Sequence, residues 1–285
     1  MTNAQRVIVI TGGHTGIGFE LCKKILSDGD ACIILLFRLK SANAGGAEEL
    51  KNLASKSKNC SVQTVDCDCE SNESIKAAAE VILKEHKSIQ VLFNNAGYLA
   101  TDHQTARNGL DRMWAINTVA AYHLSELLRP ALKGGKIINT SSGAIYLTKN
   151  LSELDNGYKS PGLMGMYGLS KKALTAVVAG LALEYARDEI WICSQDPGGN
   201  STNMVNDCTP WYLKCCLPII FNPPTFGANL LYKAAFEASL PEYPSGCHIS
   251  DGGKNDSAKV PADARDTERQ RKIIERLKAD VQRLG

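Results

Sequence analysis

The chain has 285 residues, 44% hydrophobic and 22% charged, with a net charge of +2. That length buries a sizeable core. The balance excludes a disordered chain and gives no broad pull toward nucleic acid or an anionic membrane.

In chain order, RVIVIT is a β-branched run that predicts a buried first strand. GIGFELCKKILSDG places Ile17, Leu21, Ile25 and Leu26 at helical spacing and stops at Gly29. DACIILLF is a second strand, residues 44–58 a helix, CSVQTVDC a third strand, NESIKAAAEVILKEH a helix and IQVLFNN a fourth strand. A long helix is predicted from about Asn108 to Leu132, then the strand GGKIINTSS, a helix from Met166 to Arg187 and the strand EIWICSQD. Thr225 to Ala238 is a further helix and GCHIS a short last strand. Strand and helix alternate throughout, with no linker and no short repeat. This predicts a single α/β domain over residues 1–285, a Rossmann-type doubly wound parallel sheet with helices on both faces. The tail, about 265–284, is an amphipathic helix through Ile273, Ile274, Leu277, Val281 and Leu284. Such a stripe packs on its own domain more often than on a partner, so a homo-oligomer is left open.

Targeting and cysteine signals are sparse. No window reaches the ~18 uncharged apolar residues of a spanning helix. The start, MTNAQRVIVITGG, lacks the two regions of a secretory signal. The ten cysteines therefore read as reduced thiols, which predicts a cytoplasmic protein, with peripheral membrane contact not excluded. Cys60, Cys67 and Cys69 lie in or beside the third strand with no His at a usable spacing, so no metal site is expected. Cys215 and Cys216 read as apolar loop side chains.

Chemistry enters with VIVITGGHTGIG. Gly12, Gly16 and Gly18 follow a buried strand and open a helix, where converging N–H groups hold phosphate oxygens and a Cβ would block the approach. A dinucleotide site is expected on this loop, which also carries His14, Thr15 and Ile17. The second strand ends in Phe37 and Arg38, with Lys40 nearby and no acid at the position that would hold a free ribose 2′-OH. A forked guanidinium suits a 2′-phosphate, so NADP(H) is favoured over NAD(H). Further on, Tyr167 and Lys171 are four apart before a strongly helical run and share one helix face. A fixed ammonium near a phenol favours the phenolate. Tyr146 has Asn150 at that spacing and Tyr158 has Gly162, so neither has a cation there.

These segments add up. TGGHTGIG (11–18), NNAG (94–97), Asn117 in MWAINTVAA, IINTSS (137–142), YGLSK (167–171) and DPGGNST (196–202) resemble, in order, the motifs of the short-chain dehydrogenase/reductase family. The likeness covers about residues 6–202. The FR after the second strand, the long gap between serine and tyrosine and the apolar loop after residue 202 most resemble its retinol dehydrogenase and carbonyl reductase branch.

The resemblance implies an NADP(H)-dependent interconversion of an alcohol with an aldehyde or ketone. Tyr167 would be the acid/base, Lys171 would lower its pKa and bind the nicotinamide ribose, and Asn117 would hold a water beside Lys171. Ser142 would polarise the carbonyl, with Ser141 as the fallback. Asp68 would meet the adenine, with Asp66 as the alternative register. Asn94, Ala96 and Gly97 would line the adenine ribose, and Pro197, Gly198 and Thr202 would approach the carboxamide. The chain departs from the pattern at Gln90, often Asp in the family, at Ala120, often Gly in the branch, and at Asp196, where His is frequent. The loop of about 199–226 carries Met204, Trp211, Tyr212, Leu213, Leu217, Ile219, Ile220 and Phe221, which suits a lipophilic small-molecule substrate or an ordinary packed loop. Two other readings remain: a non-catalytic NADP(H)-binding regulator on the same fold, and a sugar-nucleotide epimerase or dehydratase, whose closer glycine spacing the chain lacks.

Overall fold

Side chains alternate across the first strands and so divide the core in two. In β1 (Arg6–Thr11), Ile8 and Ile10 face one side of the sheet and Val9 the other; in β2 (Ala31–Phe37), Ile33 and Leu35 oppose Ile34 and Leu36. Every residue of β2 is buried, as expected of an inner strand covered on both faces. The computed structural model describes residues 5–40, 45–100, 102–148, 150–156, 163–202, 221–239 and 241–283.

Among these residues the sheet has seven strands, all parallel. The remaining strands are β3 (Cys60–Asp66), β4 (Val91–Asn94), β5 (Lys136–Thr140), β6 (Trp191–Gln195) and β7 (His248–Ile249), in the order β3-β2-β1-β4-β5-β6-β7. The chain winds outward from β1 to β3, then returns to place β4 on the other side of β1. That reversal opens a crevice at the carboxyl ends of β1 and β4, the place where such sheets bind ligands.

One face is covered by α1 (Gly16–Asp28), α2 (Gly45–Lys56) and, late in the chain, a helix over Pro224–Phe236. The other is covered by α3 (Asn72–Glu85), the segment 112–128, a long helix over Leu163–Ala186 and a tail helix over Thr267–Asp280. The segment expected as one helix from Asn108 begins later and is interrupted. Gly109, at φ +75°, turns the chain, and the Asp111 carboxylate accepts from Trp114 N at 3.0 Å to start α4 (Arg112–Trp114). A π turn, Ala115–Val119, separates α4 from α5 (Ala120–Leu128). The long helix, α6 (Leu163–Ala186), starts three residues before its expected first residue. α7 (Pro224–Phe236), α8 (Ala262–Arg265) and α9 (Thr267–Asp280) complete the chain.

The tail helix does more than cover its apolar stripe. Ile273 and Leu277 are buried in the α6 side of the core, so the stripe packs on its own domain; Leu284 lies outside the described residues. Asp280, 2% exposed, accepts from Trp114 Nε1 at 2.9 Å, and its backbone carbonyl accepts from Asn72 Nδ2 at 2.9 Å. α9 thereby anchors α4 next to the π turn. Asp280→Ala strands a buried indole N–H and should cost about 2–3 kcal/mol of stability. Asp280→Asn keeps an acceptor and should cost less. Urea unfolding at unchanged slope measures both, and equal losses would mean that the acceptor is not what matters.

Candidate active site

The glycine loop is shaped by close backbone approach. Gly12 has φ +65°, and a Cβ there would stand 3.2 Å from Ala96 Cα; a Cβ on Gly18 would meet Gly12 O at 2.6 Å. Gly16 faces Thr202, whose Cγ2 lies 3.6 Å from the place of a Gly16 Cβ, so the loop after β6 closes over the loop after β1. Thr15 caps α1 with no side-chain bond, and the first turn holds no acid. The amides of that turn are thus left to an anion. His14 stacks on Phe37 with centroids 4.3 Å apart, and burial pushes its pKa down.

A clamp across the crevice fixes this loop. Thr11 Oγ1 accepts from Asn95 N at 3.0 Å and Ala96 N at 2.9 Å, and Asn95 Nδ2 donates to Thr11 O at 3.0 Å and Gly12 O at 3.3 Å. The sequence reading missed Thr11 and Asn95. The doubled asparagine was the available signal, and the expectation named the first of the pair. Asn94 is turned the other way. Its Nδ2 donates to Ser125 Oγ and Asn139 Oδ1, both at 2.9 Å, and the residue is 3% exposed. It joins β4 to α5 and β5, so only its backbone could line a ribose; Ala96 and Gly97 follow it on the crevice side.

Near Arg38, acids are present after all. Asp66 Oδ1 accepts from Leu39 N at 2.9 Å, and Glu70 Oε1 lies 3.6 Å from Arg38 Nη1. Neither was visible at the end of the second strand, because both come from β3 and the loop behind it. Asp68 is in that loop; it accepts from Glu70 N at 3.0 Å and pairs with Arg107 Nε at 3.3 Å. Arg38 itself is half exposed at the strand end, with Lys40 two residues on.

The other end gathers Asn117, Ser142, Tyr167 and Lys171. Ser142 follows β5, its Oγ accepts from Ala144 N at 3.2 Å, and it lies near enough to the Tyr167 hydroxyl to lower that phenol's pKa. Ser141, 1% exposed, is instead bonded to Thr175 Oγ1 on α6 at 2.8 Å, so it faces away. Asn117 lies in the π turn, which re-aims a side chain within an otherwise helical run. Its Oδ1 accepts from Tyr98 N at 2.7 Å, and its Nδ2 donates to Tyr98 O at 2.9 Å and Ser170 Oγ at 3.0 Å. Ser170 Oγ donates in turn to Tyr167 O at 2.7 Å.

Lys171 Nζ donates to Thr140 O at 2.7 Å with the residue 2% exposed. Burial pulls its pKa down to about 8, opposed by Asp196. Burial also pushes Tyr167 up, Ser142 lowers it and Asp196 raises it. The expected lowering of the phenol by the neighbouring ammonium does not appear: desolvation is the largest effect on Tyr167, and the Lys171 amine points to Thr140. Asp196 is 6% exposed and accepts from Gly198 N at 2.9 Å. Asn200, also unanticipated, ties Pro197 O at 2.7 Å and Gly198 O at 2.8 Å to Gly227 N at 3.0 Å. Tyr146 is exposed, edge-on to His248. Tyr158, Cys215, Cys216 and the 203–220 part of the apolar loop lie outside the described residues.

Known proteins resemble this chain in sequence and in fold. A family model described as short chain dehydrogenase matches residues 6–213. Retinol dehydrogenase 12 of Bos taurus is 28% identical over 221 residues, 76% of this chain and 68% of that protein. A short-chain dehydrogenase/reductase of Aspergillus calidoustus is 26% identical over 275 residues, 88% of this chain and 84% of that one. Among solved structures, NADPH-bound carbonyl reductase from chicken fatty liver superposes with a TM-score of 0.66 at 24% identity, covering 89% of this chain and 99% of that one.

Lys171 gives a direct test of the buried amine. Its folded pKa of about 8 lies below the unfolded value near 10.4. Between these values the unfolded chain holds the extra proton, so wild-type stability rises with pH there, and the burial penalty is fully in force below about pH 8. Lys171→Met should therefore stabilise the ligand-free protein at pH 7, by at most about 3 kcal/mol before the lost Thr140 bond is subtracted. The gap should narrow by pH 9.5. Thermal melts of both proteins at the two pH values check this; a gap that does not change with pH would contradict it.

Proposed function

The chain belongs to the short-chain dehydrogenase/reductase family and is an oxidoreductase acting on CH–OH groups; beyond that, we propose that it uses NADP(H) to interconvert a lipophilic alcohol with its aldehyde or ketone. The observation that carries this reading is Lys171, buried and held on Thr140 O, one helix turn from Tyr167, whose own turn is tied to Asn117 through Ser170.

The residues fit the cofactor. The cradle at Gly12 and Gly18 has no room for a Cβ, and the uncapped first turn of α1 suits a pyrophosphate. His14, Thr15, Gly16, Ile17 and Gly18 would border it, Asp68 the adenine, the backbone around Asn94, Ala96 and Gly97 the ribose, and Pro197, Gly198 and Thr202 the carboxamide. Arg38 would grip the 2′-phosphate. A bound nicotinamide supplies or accepts the hydride.

The chain's own groups manage the oxygen and its proton. Ser142 and Tyr167 donate hydrogen bonds where negative charge builds on the carbonyl oxygen. In the reducing direction the Tyr167 hydroxyl then gives its proton to that oxygen, leaving a phenolate, and in the oxidising direction the phenolate takes the alcohol's proton and returns to the hydroxyl. Its pKa, raised by burial, keeps the proton on the ring until charge develops on the substrate. Lys171 stays close by on Thr140 O, and Asn117 holds the helix turn beneath both through Ser170. Free thiols at Cys22, Cys32, Cys60, Cys67, Cys69, Cys193 and Cys247 support a reducing, cytoplasmic setting.

An activity screen with NADPH and NADH against aldehydes, ketones and alcohols tests the whole reading; cofactor binding without any turnover favours the regulator instead. Tyr167→Phe should leave NADPH affinity nearly intact while kcat falls by ~10² or more. Tyr146→Phe should cost far less, and a comparable loss there would overturn the assignment. Arg38→Leu should weaken NADPH by ~10–150-fold, the worth of one charge-assisted bond. NADH should change little, with both dissociation constants measured at one ionic strength.

A further inference from the structure

Each acid in and behind β3 is engaged near the strand end where Arg38 emerges. Asp66 accepts from Leu39 N, Asp68 pairs with Arg107, and Glu70 meets Arg112. Glu70 matters most, because its carboxylate also lies 3.6 Å from Arg38 Nη1 and the residue is only 8% exposed. An unneutralised carboxylate there would oppose a 2′-phosphate twice: it would compete for the Arg38 donors and repel the phosphate charge.

Arg112 removes that opposition. Its Nε and Nη2 donate to Glu70 Oε1 at 3.0 and 2.8 Å. Its Nη1 donates to Gln104 Oε1 at 2.7 Å and Tyr98 OH at 3.0 Å, and the guanidinium carbon lies 4.2 Å from the Tyr98 ring centroid. The guanidinium is held in place from several sides. By contrast, the Arg38 side chain is 53% exposed, and its contact with Glu70 is longer than a hydrogen bond. Glu70 thus takes its short bonds from Arg112, and among the described residues no hydrogen bond occupies the Arg38 donors.

We propose that Arg112 is a positioning residue for cofactor choice: by neutralising Glu70, it leaves Arg38 free for the 2′-phosphate that separates NADPH from NADH. This rests on the NADP(H) reading above. The sequence had put no acid near Arg38; the structure brings one there together with the arginine that answers it.

The test is direct binding of NADPH and NADH, by fluorescence titration at fixed ionic strength, to wild type, Arg112→Leu, Arg112→Lys, Glu70→Gln and the double variant R112L/E70Q. Arg112→Leu should weaken NADPH by ~10-fold or more while NADH changes by less than ~3-fold. The double variant should recover NADPH binding to within ~3-fold of wild type, because the carboxylate that captures Arg38 is gone. Glu70→Gln alone should not weaken NADPH, and Arg112→Lys, which keeps the charge, should keep the selectivity. Equal weakening of both cofactors by Arg112→Leu, or a double variant no better than the single, overturns the proposal. Should Arg112→Leu fail to fold, the other two single variants decide: selective loss of NADPH binding in either refutes it. A wild type that prefers NADH would instead overturn the NADP(H) reading itself, whatever Arg112 does.

Discussion

Lys171 holds its amine on the Thr140 carbonyl with almost none of the residue reaching water. A buried cation is costly unless polar partners surround it, and much of the neighbouring structure is arranged to tolerate this one. Thr140 ends β5, so the bond pins α6 to the sheet at the crevice. Asp196, from the end of β6, opposes the fall in the lysine's pKa and is itself pushed up by burial. Ser141 reaches α6 through Thr175, and this frees the next residue, Ser142, to face Tyr167. The local geometry of the site follows from docking one helix on one strand end with a charge between them.

The π turn extends this constraint sideways. Asn117 bonds both backbone polar groups of Tyr98 and the Ser170 hydroxyl, so the loop after β4, the segment 112–128 and α6 meet at one amide. Tyr98 then stacks under Arg112, and Arg112 reaches Glu70 behind β3. A contiguous run of polar contacts therefore spans the crevice from the Tyr167 end to the Arg38 end. At its back, α9 supports the same segment through Asp280 and Trp114. The tail helix is therefore part of what keeps the Asn117 turn in place.

Much of this was legible in the residues. Glycines after a β-branched run and before a periodic helix announce a tight strand-to-helix loop, because only a residue without a Cβ fits between Gly12 O and α1. The i, i+4 pair Tyr167 and Lys171 is visible because helix geometry alone puts the two on one face. The layering of the sheet follows from period-two alternation, and α9 from its stripe. Boundaries were less clear: the helix expected from Asn108 starts after Asp111, since capping and the Gly109 turn outweigh apolar periodicity.

The sequence by itself therefore determined what depends on near neighbours: the strands, the helices, the glycine loop, the tyrosine–lysine pair and the family they belong to. Tertiary structure decided what depends on residues far apart in the chain. It buried Ser141 against Thr175, and turned Asn94 inward and Asn95 toward Thr11. It also brought Glu70 and Arg112 to Arg38, and Asp280 to Trp114. Nothing local encodes these choices. A side chain's direction in a loop is set by which partner satisfies its polar atoms once the sheet has assembled, and those partners come from other strands and helices.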